Sequence, residues 1–325
     1  NKGGIVEEGR VPDVFGSPGN AHTGKLLEDT KHVPVRKVTK TPERTPVLET
    51  RNLVREYAGS RSWLGQPVSV RAVDDVSLSV FANENVGIVG ESGCGKSTLL
   101  RTILGLDPAQ SGQVTVFGRR FPTEDGSDMR WLRRKIQIVF QDPYGTFDPR
   151  WRVERLITEN LHMSDTRLTA GETRRRVDAM LDQVGLQSTD ATRFPHEFSG
   201  GERQRIAIAR ALIIEPAILA LDEAVSALDV SIRARILDLL AALSERLEVS
   251  CLFVTHDLSV ARAITDRILV MKDGRIVEEG GTEEVFTAPS HSYTRDLLAA
   301  VPVSYTHLRA HETLRYLVCR LLLEK

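Results

Sequence analysis

Residues 90–98 read Gly90-Glu91-Ser92-Gly93-Cys94-Gly95-Lys96-Ser97-Thr98, which fits G-x-x-x-x-G-K-[ST], the pattern of a phosphate-binding loop. A short apolar run, Val86–Val89, precedes it and an amphipathic stretch, Thr98–Leu106, follows. The loop is therefore expected between a buried strand and a helix. Gly90, Gly93 and Gly95 permit the tight bends that turn backbone N–H groups toward phosphate oxygens. The helix N-terminus, with Thr98 in its first turn, adds a positive dipole end. Lys96 is expected to reach β- and γ-phosphates, and Ser97 to offer its hydroxyl to Mg²⁺. Cys94 is read as a small spacer in the loop.

Outward from the loop, short apolar runs recur at Ile136–Phe140, Ile218–Leu221, Leu252–Thr255 and Ile268–Met271. Between them lie helical signals, such as Ile232, Ile236, Leu240, Leu243 and Leu247 at spacings of 3 and 4. Buried strands alternating with helices predict a mainly parallel α/β sheet. Upstream, Val68, Val70 and Ala72, then Val76, Leu78 and Val80, alternate as in a half-buried strand. Residues 150–195 are charged and helical, as expected of an inserted subdomain. The run Ile218–Leu221 ends in Asp222-Glu223. A buried strand ending in two carboxylates needs a reason, because desolvating charge is costly. Behind a phosphate loop, Asp222 suits holding Mg²⁺ and Glu223 suits orienting and polarising a water as general base.

Ser199-Gly200-Gly201-Glu202-Arg203-Gln204-Arg205 resembles the signature motif of ATP-binding-cassette (ABC) ATPases. The accompanying motifs stand in the order this resemblance requires. Gln141, in FQDPYGTFDPR, resembles the Q-loop. Ser226-Ala227-Leu228-Asp229 resembles the D-loop, and His256, in VTHDLS, the switch histidine. Tyr57 resembles the aromatic that stacks on adenine. The resemblance covers roughly residues 47–302 and implies an ABC nucleotide-binding domain. That fold has a mainly parallel core sheet, an N-terminal antiparallel β-subdomain and an inserted α-helical subdomain. It further implies ATP and Mg²⁺ as ligands. Ser97, Gln141 and Asp222 would lie at the metal. Lys96, Gln141, Glu223 and His256 would serve catalysis. Ser199, Gly200, Gly201, Glu202 and Asp229 would contact nucleotide held by an opposing cassette.

FQDPYGTFDPR, DEAVSALDVSIRARIL, HDLSVARAITDRILVMKDGRIVEEG and HSYTRDLLAAVP resemble the dipeptide/oligopeptide importer branch, much of whose pattern nickel importers share. The resemblance implies peptide uptake as the function. Import of nickel or another small solute, and a soluble non-transport ABC ATPase, are the alternatives. A cassette that binds ATP only as a dimerisation scaffold is a further one, disfavoured by Glu223 and His256. The implied partners are a second cassette, two permease transmembrane subunits and a periplasmic or lipid-anchored solute-binding protein. The implied location is peripheral, on the cytoplasmic face of the bacterial inner membrane. Tyr144, Phe147 and Trp151, if exposed, would suit docking of a permease helix; packing within the helical subdomain is the competing expectation. Three residues depart from the pattern: Ala224 replaces the usual Pro, Glu202 the usual Gln and Phe198 the usual Leu. None removes a catalytic group, but Ala224 leaves the backbone beside Glu223 less constrained.

The 325 residues carry 43 Lys+Arg and 44 Asp+Glu, a balance that argues against a nucleic-acid partner. Hydrophobic residues are 41%, enough for a buried core, and no apolar run reaches the ~18–20 residues that span a bilayer. Residues 3–27 (GGIVEEGRVPDVFGSPGNAHTGKLL) align without a gap with residues 274–298 (GRIVEEGGTEEVFTAPSHSYTRDLL) at an offset of 271. This predicts that 1–28 is the C-terminal remnant of a preceding cassette, as in a tandem protein, and a first residue other than Met fits that reading. A Lys-, Arg-, Thr- and Pro-rich linker is then expected at 29–46, and the ATP-binding domain at 47–303 with its helical subdomain at about 142–215. Residues 304–325 resemble translated adapter read-through and are expected to be non-native. His307 and His311 there do not complete a H-E-x-x-H zinc motif, because Arg315 holds the second histidine's place.

Overall fold

The computed structural model describes residues 4–30, 34, 45–61, 67–121, 129–164 and 167–300. The expected tail at 304–325 and most of the expected linker lie outside them. Among the described residues ten strands form two sheets. They are β1 (Pro46–Arg61), β2 (Pro67–Phe81), β3 (Asn85–Val89), β4 (Ser111–Val116) and β5 (Arg119–Phe121), then β6 (Ile136–Val139), β7 (Ile218–Asp222), β8 (Ser250–Thr255), β9 (Arg267–Lys272) and β10 (Arg275–Gly281). One sheet has the order β2-β1-β4-β5 and is antiparallel throughout. The other has the order β10-β9-β3-β8-β7-β6 and is parallel except for the β9–β10 hairpin at its edge. This is the expected α/β architecture: a mostly parallel core sheet with an antiparallel sheet beside it.

Burial follows from pairing. β3 and β8, with neighbours on both edges, are buried at every position, as strands covered on both faces must be. Eleven helices accompany the sheets among the described residues: α1 (Val11–Gly16), α2 (Ala21–Thr30), α3 (Lys96–Ile103), α4 (Met129–Lys135), α5 (Val153–Thr158), α6 (Ala170–Gln183), α7 (Gly200–Leu212), α8 (Val230–Arg246), α9 (Leu258–Ile264), α10 (Thr282–Thr287) and α11 (Ser292–Ala300). Leu99, Leu100 and Ile103 of α3 pack with Leu48 and Leu53 of β1 and with Val86, Ile88, Leu252 and Val254 of the core sheet, joining the two sheets in one core. A second core joins Leu156, Leu181 and Ile206 of α5–α7 to Leu219 and Leu221 of β7 and Ile236 and Leu240 of α8. The helical segment is thereby fixed to the β7 side of the core sheet. α6 starts at a capping box in which Glu172 accepts from the Thr169 N–H at 2.8 Å.

The alternation expected in β2 holds for Val76, Leu78 and Val80, which are buried, but not upstream. Val70 is exposed and Val73 is buried instead. The β1–β2 register shifts between Leu53 and Arg55, next to Asp75 at φ 58°. One extra residue in a strand reverses which side chains face the core.

Candidate functional site

The sheet order gathers the sequence-predicted residues. The phosphate loop leaves the carboxyl end of β3. His256 follows β8, Asp222 ends β7 with Glu223 next to it, and Gln141 lies two residues beyond β6. These strands are consecutive neighbours, β3-β8-β7-β6, so four chain segments converge on one end of the parallel sheet. Ligands of open α/β sheets bind in this crevice.

Close approach of backbone explains two of the loop glycines. A Cβ on Gly90 would lie 2.2 Å from the Met271 carbonyl oxygen, and one on Gly95 2.0 Å from that of Ala72. Gly95 at φ 107° is also the N-cap of α3. Lys96 is buried, and its Nζ donates to the carbonyls of Gly90 (2.8 Å) and Glu91 (2.7 Å), pinning the loop's curve. Thr98 lies in the first turn of α3, and its carbonyl accepts from Thr102 Oγ1 at 2.8 Å. Cys94 sits inside the loop, where burial pushes its thiol pKa up.

Two polar pairs bridge the strand ends. Ser97 Oγ donates to Asp222 Oδ1 at 2.9 Å, tying α3 to β7. Burial pushes the Asp222 carboxyl up, the Ser97 hydrogen bond opposes this, and repulsion from Glu223 adds to it. A cation at this carboxylate would relieve both penalties. The second pair is His256 Nδ1 and Glu223 Oε1 at 3.0 Å, with the Nδ1–H tautomer donating. Glu223 has φ 48°, an unusual conformation for a residue with a side chain. Its loop is held without the family's proline. The Glu223 N–H donates to Val254 O (2.9 Å), and both the N–H (3.0 Å) and Oγ (2.9 Å) of Ser226 donate to Glu223 O. Ala224 is buried against the helical core. Gln141 is exposed and its Nε2 donates to Ser226 Oγ at 3.4 Å, placing it beside the same loop.

The signature residues form a unit of their own. Ser199 is the N-cap of α7, and Glu202 Oε2 accepts from the Ser199 N–H (2.8 Å) and Oγ (2.7 Å). These bonds hold the Glu202 carboxyl below its ordinary range. Gly200 opens α7, and its missing Cβ would just touch Leu228 of the D-loop at 3.9 Å. Gly201 is where α7 crosses α8: a Cβ there would lie 2.4 Å from Ile232 Cγ2. Asp229 is the N-cap of α8 without a side-chain cap bond. Tyr57, on β1, is partly exposed. Its hydroxyl donates to Asp107 Oδ2 at 2.9 Å, and the Arg55 guanidinium lies 4.4 Å from the ring centroid. Sequence reasoning missed Arg55 and Asp107; nothing in their spacing marked them. Of the two expectations for the aromatics after Gln141, packing holds for Phe147, which is buried, and for Trp151, which packs on the helical core, while Tyr144 is exposed.

Residues 73–226 match the family model described as ABC transporter. The dipeptide transport ATP-binding protein DppF of Haemophilus influenzae is 42% identical over 81% of its own length and 82% of this chain. The chain belongs to the ABC transporter family. The oligopeptide transport ATP-binding protein OppD of Mycobacterium tuberculosis is 50% identical over 79% of this chain, which spans only 42% of that protein. Among solved structures, cbiO1 of Clostridium perfringens, part of the ABC transporter complex cbiONQ, superposes with a TM-score of 0.65 at 28% identity, covering 76% of this chain and 92% of that one. A dimeric ATP-binding cassette in a post-hydrolysis state, bound to ADP and Pi, superposes with a TM-score of 0.63 at 30% identity, covering 72% of this chain and 98% of that one. In this ABC cassette the expected loop, Gln141, Asp222-Glu223 and His256 lie at the ends of neighbouring strands, and Ser199–Glu202 at the start of α7. No helix among the described residues is long and apolar enough to cross a membrane.

Proposed function

We propose that this chain binds ATP with Mg²⁺, hydrolyses it, and thereby powers import of dipeptides or oligopeptides through separate permease subunits. The observation that carries the reading is the convergence of loop, acidic pair and histidine on neighbouring strand ends, with Ser97 bonded to Asp222 and His256 to Glu223. The glycine loop fits a polyphosphate, because its curve leaves no room for side chains at Gly90 and Gly95. Tyr57, with one ring face occupied by Arg55, would stack the other on adenine. Ser97, Asp222 and Gln141 would hold Mg²⁺, whose charge would offset that of the phosphate oxygens when bound. Lys96 would turn from the loop carbonyls toward the β- and γ-phosphates. Glu223 would accept a proton from the attacking water, and His256, anchored by Glu223, would position that water and the γ-phosphate.

Ser199 and the first turn of α7 would face the γ-phosphate held by a second cassette, so that two cassettes close over two nucleotides. Two permease subunits would take up that closure, and a periplasmic or lipid-anchored protein would deliver the solute. The cassette would then sit at the cytoplasmic face of the bacterial inner membrane. Peptides are favoured as cargo by the names of the relatives, DppF and OppD. The test is reconstitution in proteoliposomes with the permease subunits that co-purify with it. ATP-dependent uptake of a labelled tripeptide, lost in Glu223→Gln, is expected. Uptake of Ni²⁺ but no peptide would replace the cargo, and ATP turnover with no membrane partner would replace transport itself.

A further inference from the structure

The fold repeats its own ending at its beginning. Helices α1 and α2 start at residues 11 and 21, and α10 and α11 at 282 and 292, the same 271-residue offset at which the sequences align. Twelve of the 25 aligned positions are identical, too few for a copying error and too many for chance.

The hydrogen bonds repeat as well. Glu278 Oε1 accepts from the Ser290 N–H at 2.7 Å, and Glu7 Oε1 accepts from the Gly19 N–H at 2.6 Å. The Tyr293 N–H donates to His291 Nδ1 at 3.1 Å, and the His22 N–H to Asn20 Oδ1 at 2.8 Å. Gly280 and Gly9 are each packed against a valine Cγ2, of Val285 and Val14, that a Cβ would meet at 2.9 and 3.1 Å. Three of these positions differ in residue type between the copies, so the geometry is kept although the side chains changed.

What surrounds the two copies differs. In the later one, Val277 and Phe286 pack on a cluster that includes Val89 of β3, Val270 of β9 and Leu258 of α9, and Ile276 packs on the core that joins the two sheets. The counterparts of Ile276 and Val277, Ile5 and Val6, are 87% and 41% exposed. β10 is a strand because β9 pairs with it; residues 4–10, without a β9 of their own, form none. The earlier copy instead rests α2 on α8, where Ser231 Oγ donates to Asp29.

We infer that residues 4–30 are the closing segment, the counterpart of β10, α10 and α11, of a second ABC cassette on the same polypeptide. The surface that covers Ile5 and Val6 is that cassette's own counterpart of the sheet core and of β3, β9 and α9, and its end is moored to this cassette through α2 on α8. As the source of the opposing cassette for Ser199, the inference rests on the paired-cassette reading above; the fusion itself does not.

Reading intact genomic DNA upstream of the Asn1 codon tests the fusion. The 271-residue offset puts the upstream signature about 70 residues, and the upstream phosphate loop about 180 residues, before Asn1 in the same frame. An in-frame stop, or an upstream stretch lacking both motifs, overturns it without touching the hydrolysis proposal. If the two-cassette polypeptide is then purified, turnover per molecule is expected to stay constant over a hundredfold dilution. A rate that collapses on dilution overturns pairing within the polypeptide and leaves the fusion standing. Turnover unaffected by Glu223→Gln would instead sink the hydrolysis reading alone.

Discussion

The loop at residues 90–98 and the signature at residues 199–202 both begin helices, and both offer glycines and a hydroxyl at a helix N-terminus. Their polar groups are spent differently. Around the loop they reach across the fold: Ser97 to β7, and His256, after β8, to Glu223, after β7. Around the signature they close on themselves, with Ser199 and Glu202 satisfying each other within one turn. The first half-site is a product of sheet topology, and every strand neighbour matters to it. The second is a locally complete unit on one helix. Damage to the loop half should therefore act on chemistry and nucleotide binding, and damage to the signature half on packing and on function in trans.

The largest effect expected is on the loop half. Glu223→Gln should lower ATP turnover by ~10²–10⁴, the usual worth of a general base, while a fluorescent ATP analogue still binds. Turnover within a few-fold of wild type would break the assignment. Gly95→Ala places a methyl against the Ala72 carbonyl at positive φ. It should cost about 1–3 kcal/mol, read as nucleotide affinity weakened roughly 10- to 100-fold by titration.

On the signature half, Gly201→Ala should lower stability by about 1–3 kcal/mol through overpacking against Ile232. Pairing it with Ile232→Ala should recover part of that loss. Denaturant midpoints measure both, and nucleotide affinity should stay unchanged. A loss of affinity with intact stability would mean that the halves are not separate.

A smaller, pH-dependent effect comes from the contact of β10 with α11 behind the loop, where Tyr293 Oη accepts from the Glu91 N–H at 3.2 Å. Burial pushes the Glu278 carboxyl up, but the neighbouring Thr294 hydroxyl and hydrogen bonds from Ser290 and His291 outweigh it and bring the pKa down from 4.5 to about 2. A lowered folded pKa stabilises above the ordinary value and is lost as pH falls toward the folded one. The stability gap between wild type and Glu278→Gln should thus be full at neutral pH and shrink as pH falls from 4.5 to about 2. The smallest effect is that of Glu202→Gln, under about 1 kcal/mol, because the amide oxygen still accepts from Ser199.

Contiguous chemistry was legible in the sequence. The phosphate loop and Asp222-Glu223 declare themselves because strand, turn and functional group are adjacent, and the parallel sheet follows from apolar runs long enough to be buried. What spacing could not supply was adjacency. Gln141 and His256 lie 115 positions apart in sequence, and only the order β3-β8-β7-β6 brings their strands to one crevice. The resemblance named them, but periodicity did not. The phase of β2 was misread because a single residue at positive φ, Asp75, is invisible to an alternation rule. Phe147 and Trp151 were open between docking and packing, since exposure is decided by helices contributed from elsewhere in the chain. Arg55 and Asp107 gained meaning only when folding set them around Tyr57. The opening repeat was readable as sequence, but its shared hydrogen bonds needed coordinates.

Division of the site between two cassettes is tested most directly by mixing two inactive variants of this cassette expressed without the upstream one, at concentrations where its copies pair. Lys96→Ala disables the loop half, and Ser199→Arg disables the signature half. Each alone should show little ATP turnover beside an active wild type. Together they should regain a substantial fraction of the wild-type rate, because one composite site in each mixed pair is intact. A mixture as inactive as its components, or a Ser199→Arg chain with wild-type turnover, would contradict the division.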